Sequence, residues 1–276
     1  MNTTINNPAC TYFDTDFCMS HHTEGNKDTD RHYRMLNHLS SLFKNNFFSN
    51  ARWLTVGDGL GREAIFLKKQ GVEHVTATDV WYANKNLTKI AEFVDDAQQL
   101  DISKSLEFKT DFILGKEVLH HLKRPLNGLY NLLDAASKGV VFIEPQDFRY
   151  NTGSWNFTED SFLLSDQDAD DWEKAGNYKY CFSIREICKM AWADEAPHVM
   201  VTGFNDATGD LYDPPLEQSN KEKYAEYIKR CKKLDELGRA NLRPFNIVVC
   251  MIVKEQLDTH QLDCFKNFKV INNPKL

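Results

Sequence analysis

Three alternating glycines, Gly57, Gly59 and Gly61, follow the short apolar run Trp53 to Val56, and Asp79 closes a second apolar run further on. Glycines let the backbone approach a ligand closely, and a helix that starts just after such a turn presents backbone N–H groups to it. A carboxylate at the end of the second strand can accept hydrogen bonds from both ribose hydroxyls. Together these residues have the chemistry of an adenosine-type cofactor site. The spacing then separates the cofactors. The dinucleotide fingerprint G-x-G-x-x-G requires a third glycine at position 62, which is Arg62, so the pattern here is G-x-G-x-G.

A second set of residues could move protons. His120 and His121 follow the apolar run Phe112 to Leu114, and Glu144 and Asp147 follow Val140 to Ile143. Imidazole titrates near neutrality and suits a general base that removes a hydroxyl proton. His21 and His22 form another pair near the N-terminus. Neither pair has metal-ligand company at suitable spacing, so no metal is expected. Asp166, Asp168 and Asp170 match the first ligands of a calcium loop, but position six is Asp171 instead of glycine and position twelve is Asn177 instead of glutamate.

These residues need a scaffold, and the hydropathy pattern supplies one. Strands are expected at 52–57, 75–80, 139–145, 199–203 and 245–253, with another ending near Gly115. Helices are expected at 29–43, 63–70 (closed by Gly71), 126–136, 184–192 and 221–237, with Ser183 and Glu186 forming a capping box. Asn84 to Lys89 is a further short helical candidate. Strands alternating with helices imply parallel βαβ units in a doubly wound α/β sheet. Such sheets bind ligands at the carboxyl ends of their strands, where the strand order switches. Gly57–Gly61, Asp79, Asp96 and Gly115–His121 all fall at expected strand ends.

The Gly57–Gly61 turn, the acid at 79, the Asp96-Ala97 step, the run Thr110 to Leu122 and the Glu144-Pro145 pair resemble the class I S-adenosylmethionine (SAM)-dependent methyltransferases of the type 11 kind. The resemblance covers residues 50–145 best. It implies a Rossmann-like, seven-stranded, mostly parallel sheet with an antiparallel last strand. It implies SAM as cofactor and S-adenosylhomocysteine as product, held by Gly57, Asp58, Gly59, Gly61, Asp79, Val80, Gly115 and Lys116, with Asp96 and Ala97 reading the adenine. A leading helix often brings a basic residue to the SAM carboxylate, here Arg34 or Arg31. His120 would lie nearer the transferred methyl, with His121 a packed structural residue and Glu144 a rival base. Gly176-Asn177-Tyr178 and Ser183-x-Arg185-Glu186 resemble methyltransferases encoded among bacterial surface-polysaccharide genes.

The 276 residues suit one such domain. Residues 1–50 would form an N-terminal lid and 51–145 the SAM-binding core. Residues 146–198 and 204–244 would be acceptor-side insertions, 245–253 the last strand and 254–276 a tail. Trp155, Trp172, Tyr178 and Tyr180, interleaved with acids, suit a polar acceptor such as a sugar or nucleotide-linked sugar. A net charge of −7 argues against nucleic acid as a partner. Seven cysteines without a C-x-x-C pair read as reduced thiols, Met1 to Asn7 lacks a signal-peptide core, and no run approaches membrane-spanning length. These features point to the cytoplasm. The expected function is methyl transfer to a hydroxyl or amine of a small polar acceptor. A methyltransferase-like module that binds without turnover is the alternative, and a nicotinamide oxidoreductase is disfavoured by Arg62.

Overall fold

The structure is a computed structural model. It describes residues 27–59, 61–80, 94–146, 180–206, 221–242 and 244–276, with side chains from His32 onward. His21, His22, Asn84 to Lys89, Asp147, Trp155, the Asp166–Asn177 stretch, Trp172 and Tyr178 lie outside the described residues.

Eight strands form one sheet: β1 (Arg52–Val56), β2 (His74–Asp79), β3 (Asp96–Gln99), β4 (Thr110–Lys116), β5 (Ala136–Pro145), β6 (His198–Phe204), β7 (Ile247–Val253) and β8 (Lys269–Asn272). Their order is β3-β2-β1-β4-β5-β7-β6-β8. The first five in that order pair in parallel, while β7 runs antiparallel to β5 and β6, and β8 antiparallel to β6. The order turns back on itself between β1 and β4, which is where a doubly wound sheet opens a ligand crevice.

The expected seven strands become eight because 269–272, read from the sequence as tail, pairs with β6. Val270 lies exposed in that edge strand, so its burial pattern carries no strong alternating signal. At the other end, the helix expected over 29–43 is α1 (Lys27–Leu36) followed by short 3-10 turns at Asn37–Leu39 and Leu42–Lys44, and then α2 (Asn46–Ser49). The periodic apolar residues survive this break, and Met35, Leu36, Leu39, Leu42 and Phe43 are all buried.

Helices cover both faces of the sheet, so β1 is buried on both sides and reads as a continuous run instead of an alternating one. Trp53 packs with Phe112, Phe48 and Phe66 on the side of α1, α2 and α3 (Arg62–Lys69). Its indole donates to the Phe48 carbonyl at 2.7 Å, which satisfies the one polar atom of that large buried ring. Leu54 and Val56 face α4 (Pro125–Ala135) and α5 (Ile184–Ala193) on the opposite side. Pro at the start of α4 and the Ser183–Glu186 capping box at the start of α5 set those two helix ends. Among the described residues the remaining helices are α6 (Lys221–Arg239) and α7 (Thr259–Leu262).

Candidate active site

The glycine turn joins β1 to α3. Gly57 and Gly61 have φ of 64° and 67°, a left-handed conformation that costs other residues energy. Gly57 also meets the turn after β4, because a Cβ on it would stand 2.2 Å from Val118 Cγ2. Gly115 is tight in the same place, its hypothetical Cβ 3.0 Å from Val118 Cγ1. The glycine turn and the histidine-bearing turn are thus packed against each other without room for a methyl group.

Asp58 does not project to the cofactor edge as the resemblance implied. Its carboxyl is 1 % exposed and turned inward. It accepts from Thr55 Oγ1 at 2.8 Å, from the Ala64 N–H at 2.9 Å and from the Glu63 N–H at 3.2 Å. The N–H groups of the first helical turn that could have met a ligand are therefore partly taken by the protein itself. Burial, and then the Glu63 charge, push the Asp58 carboxyl well above the usual carboxylate range.

Glu63 and Lys116 form a buried ion pair beneath this turn, with Nζ to Oε1 at 3.2 Å. Burial, the largest single influence, would raise Glu63, but the Lys116 ammonium, the Asp58 hydrogen bond and the His32 ring together outweigh it and hold the carboxyl at about 2. Lys116 lies two residues beyond Leu114, on the same sheet face, and so points under α3. It also approaches Glu117 at 3.4 Å. Glu117 has φ of 51°, an uncommon conformation for a non-glycine residue that often marks a functional site. His32 of α1 lies 3.9 Å from Glu117, and its buried Nδ1 has no hydrogen-bond partner among the described residues. Burial, then Lys116 and Arg62, lower His32 well below its usual range, so its ring is neutral at pH 7. Arg62 Nε is buried and, among the described residues, unpartnered as well. Sequence reasoning missed His32 and Glu63, since a lone histidine and a first-turn acid carry no distinguishing spacing.

On the other side of the turn, Asp79 ends β2 at 7 % exposure and Val80 beside it is exposed. Asp96 and Ala97 correct the expectation for the adenine site. Asp96 opens β3 instead of closing a strand, and β3 runs parallel to β2 with Asp96 opposite Thr76. The pair therefore sits toward the amino ends, and Ala97 pairs with Ala77 inside the sheet. Leu100 reaches the carboxyl edge instead, donating its N–H to the Asp79 carbonyl at 3.1 Å. Asp101 and the buried Ile102 follow it, an acid-apolar step of the kind expected at Asp96. Asp101 accepts from Ser103 Oγ at 2.6 Å and pairs with Lys104 at 2.9 Å; the Ser103 hydroxyl leads the bonds that hold its carboxyl below the usual range. A cleft of about 360 Å³ lined by Arg52, His74, Asp95 and Lys109 opens at the amino-end side of the sheet and includes none of the residues named for cofactor or catalysis.

Arg34 also departs from expectation. It ion-pairs with Asp206, donates to Tyr227 Oη at 3.0 Å and to the Asn205 carbonyl at 3.4 Å. Burial works against the charge, but Asp206 and Tyr227 with Cys231 together outweigh it and hold the guanidinium proton more firmly than usual. Arg34 thus ties α1 to the end of β6 and to α6, and its charge is met there instead of at the glycine turn.

His120 and Glu144 come together across β4 and β5. Glu144 is 0 % exposed, and its Oε1 accepts the N–H groups of Val118 at 2.9 Å and Leu119 at 2.8 Å. Its Oε2 lies 2.5 Å from His120 Nδ1. The roles implied for the two histidines are exchanged in burial. His120 is the buried, hydrogen-bonded one, and His121 is exposed with its ring 4.1 Å from that of His120. Among the described residues no group of three or more His, Cys, Asp or Glu could hold a metal ion, and no helix is long and apolar enough to cross a membrane.

The residues fit SAM. Gly57 and Gly61 leave a turn without side chains, Asp79 ends β2 as a carboxylate, and His32 Nδ1 and Arg62 Nε are buried polar atoms without hydrogen-bond partners among the described residues. A doubly wound sheet with this glycine turn, an acid after β2 and a histidine turn after β4 defines a nucleoside-cofactor transferase. A family model described as a methyltransferase domain matches residues 28–195, and the chain belongs to that family: it is a class I SAM-dependent methyltransferase. No curated protein matches the chain. Among solved structures, the YcgJ protein from Bacillus subtilis is similar in fold, at 14 % identity and TM-score 0.51, covering 80 % of this chain and 100 % of that one. A Bacillus halodurans C-125 protein matches at 14 % identity and TM-score 0.50, over 79 % of this chain and 99 % of its own. Magnesium protoporphyrin IX methyltransferase from Synechocystis PCC 6803, with S-adenosylhomocysteine bound, matches at 12 % identity and TM-score 0.48 over 81 % and 83 %.

Proposed function

We propose that this methyltransferase acts on a hydroxyl or amine of a small polar acceptor, with a sugar or nucleotide-linked sugar as the specific class, in the cytosol. One observation carries the reading. Val118 seats the His120 turn directly on the glycine turn, so an imidazole held by a buried carboxylate stands beside the cofactor crevice. SAM supplies a methyl group already made electrophilic by the sulfonium. The chain's own residues bind the cofactor, align the acceptor and accept a proton. Gly57 and Gly61 admit it, Asp79 holds its ribose, Asp101 takes the adenine side and His32 the carboxylate side. Positioning of this kind can supply much of the rate of a displacement. His120 receives the acceptor proton when that acceptor is a hydroxyl. The aromatic and acidic composition of 146–180 supports the sugar assignment.

Calorimetry with SAM and S-adenosylhomocysteine tests the cofactor assignment. Release of S-adenosylhomocysteine in the presence of nucleotide sugars, free sugars and amines tests the acceptor. Absence of binding by folded protein refutes the first, and turnover of amines alone refutes the sugar class.

A further inference from the structure

We infer that Asp58 is a specificity-determining residue: it occupies the start of α3, so that adenosine compounds carrying phosphate at C5′ are refused. The inference rests on the methyltransferase reading and deepens it by naming what the cofactor site excludes. SAM, ADP and the dinucleotides share adenosine. They differ in what C5′ carries, a sulfonium with an amino-acid tail or a chain of phosphates. Asp79 and the glycine turn serve the shared half, so discrimination falls on the groups around the turn. A helix that starts after such a turn ordinarily offers its first N–H groups to phosphate.

Here those groups are taken. α3 begins at Arg62, and its N-cap, Gly61, has no side chain to satisfy them. Asp58 does so from within the turn: Oδ1 accepts the Glu63 N–H at 3.2 Å and Oδ2 accepts the Ala64 N–H at 2.9 Å. The next N–H, of Ile65, bonds to the Gly61 carbonyl at 2.9 Å. Asp58 is itself pinned by both neighbouring strands. Its Oδ2 accepts from Thr55 Oγ1 of β1 at 2.8 Å, and its N–H donates to the Thr78 carbonyl of β2 at 3.1 Å. Its oxygens cover the N–H groups in either protonation state, so the exclusion does not depend on its charge. Glu63 adds a buried, ionised carboxylate to the same first turn, where the helix dipole would otherwise attract an anion. The cations beside the turn face elsewhere: Lys116 pairs with Glu63 at 3.2 Å, and Arg62 joins burial and Lys116 in lowering His32 of α1. A sulfonium needs no N–H donor, so this closure leaves SAM unhindered.

Calorimetry of the full chain with ADP, adenosine and S-adenosylhomocysteine, in EDTA, tests this. The wild type is expected to bind ADP no tighter than adenosine, and about 100-fold or more weaker than S-adenosylhomocysteine. Asp58→Ala frees both N–H groups and the space of the carboxyl. It should tighten ADP by about tenfold relative to adenosine, with adenosine and S-adenosylhomocysteine unchanged within about threefold. Asp58→Asn keeps an oxygen and the volume of the side chain, so its ADP-to-adenosine ratio should stay at the wild-type value. If Asp58→Ala fails to fold, Asp58→Ser takes its place with the same expectation, because its hydroxyl is too short to reach both N–H groups. A wild type that binds ADP about tenfold tighter than adenosine overturns the inference without any variant. A folded Ala or Ser variant with the wild-type ADP-to-adenosine ratio overturns it as well. A wild type that binds adenosine but neither SAM nor S-adenosylhomocysteine refutes the methyltransferase reading, while the ADP-to-adenosine ratio still decides the role of Asp58.

Discussion

Val118 stands where a side chain on Gly57 would begin: a Cβ built on Gly57 lies 2.2 Å from Val118 Cγ2 and 2.7 Å from Val118 Cβ. The glycine turn and the turn that carries the proposed base are therefore one packed unit. A change in either is felt by the other.

Gly57→Ala meets this contact and also the left-handed backbone at φ 64°. The backbone part costs about 1–2 kcal/mol and the clash adds to it. SAM affinity should fall by about tenfold or more, read by calorimetry. Adding Val118→Ala removes the Cγ2 contact but keeps the Cβ at 2.7 Å, so the double mutant should recover only part of the clash and none of the backbone part. Full additivity of the two substitutions would show that the contact is absent in solution.

Lys116→Met leaves Glu63 buried without its ammonium. Breaking one partner of a buried pair costs about 3–5 kcal/mol, seen as a lowered denaturant midpoint. Glu63 is held at about 2 against an ordinary 4.5, so its contribution is present above about pH 4.5 and is lost as the pH falls toward 2. The wild type should lose more stability than Lys116→Met over that acid window.

Asp58 has the opposite sign. Its folded-state value is raised, so the folded protein holds that proton more tightly than the unfolded chain. Stability from this group is present at acid pH and declines as the pH rises through the folded-state value. Asp58→Asn mimics the protonated acid and should gain stability relative to wild type as the pH rises above the ordinary carboxylate range. A difference that stays flat with pH contradicts the raised value.

Asp79→Ala should weaken SAM binding by about 1–3 kcal/mol through lost hydroxyl hydrogen bonds. Asp101→Ala should weaken it as well, and Asp96→Ala should leave it unchanged, because Asp96 lies toward the other end of β3. Equal losses at 96 and 101 would mean that the β3 register differs in solution.

Arg34→Met should lower the melting temperature, because Asp206 and Tyr227 are each 2 % exposed and lose their cation. Buried carboxylates left unpaired cost several kcal/mol. Its SAM affinity at 20 °C should match wild type, whereas His32→Ala should weaken SAM while sparing the melt.

The order of strands and helices from 52 to 145 was legible in the sequence because apolar runs and glycine turns are local signals. Gly57, Gly61 and Asp79 needed nothing more than their spacing, and the Ser183–Glu186 capping box needed only two residues three apart. Asp96 failed for a comparable reason. Two acid-apolar steps, at 96–97 and 101–102, lie five residues apart, and local pattern cannot say which end of a strand each occupies. Pairing with β2 decides it. Arg34 failed because a helix gives His32 and Arg34 similar claims on the site, and the choice depends on Asp206, far away in the chain.

The sequence by itself determined a glycine turn, an acid after the second strand and a histidine turn after the fourth, which suffice for the family because each is written in contiguous residues. The tertiary structure alone decided which carboxylates and cations face one another. Glu63 with Lys116, Arg34 with Asp206, and Glu144 with His120 join residues distant in sequence, and in a buried place each charge must find a partner or be expelled. The physical roles of those residues are set by those pairings, and no periodicity along the chain records them.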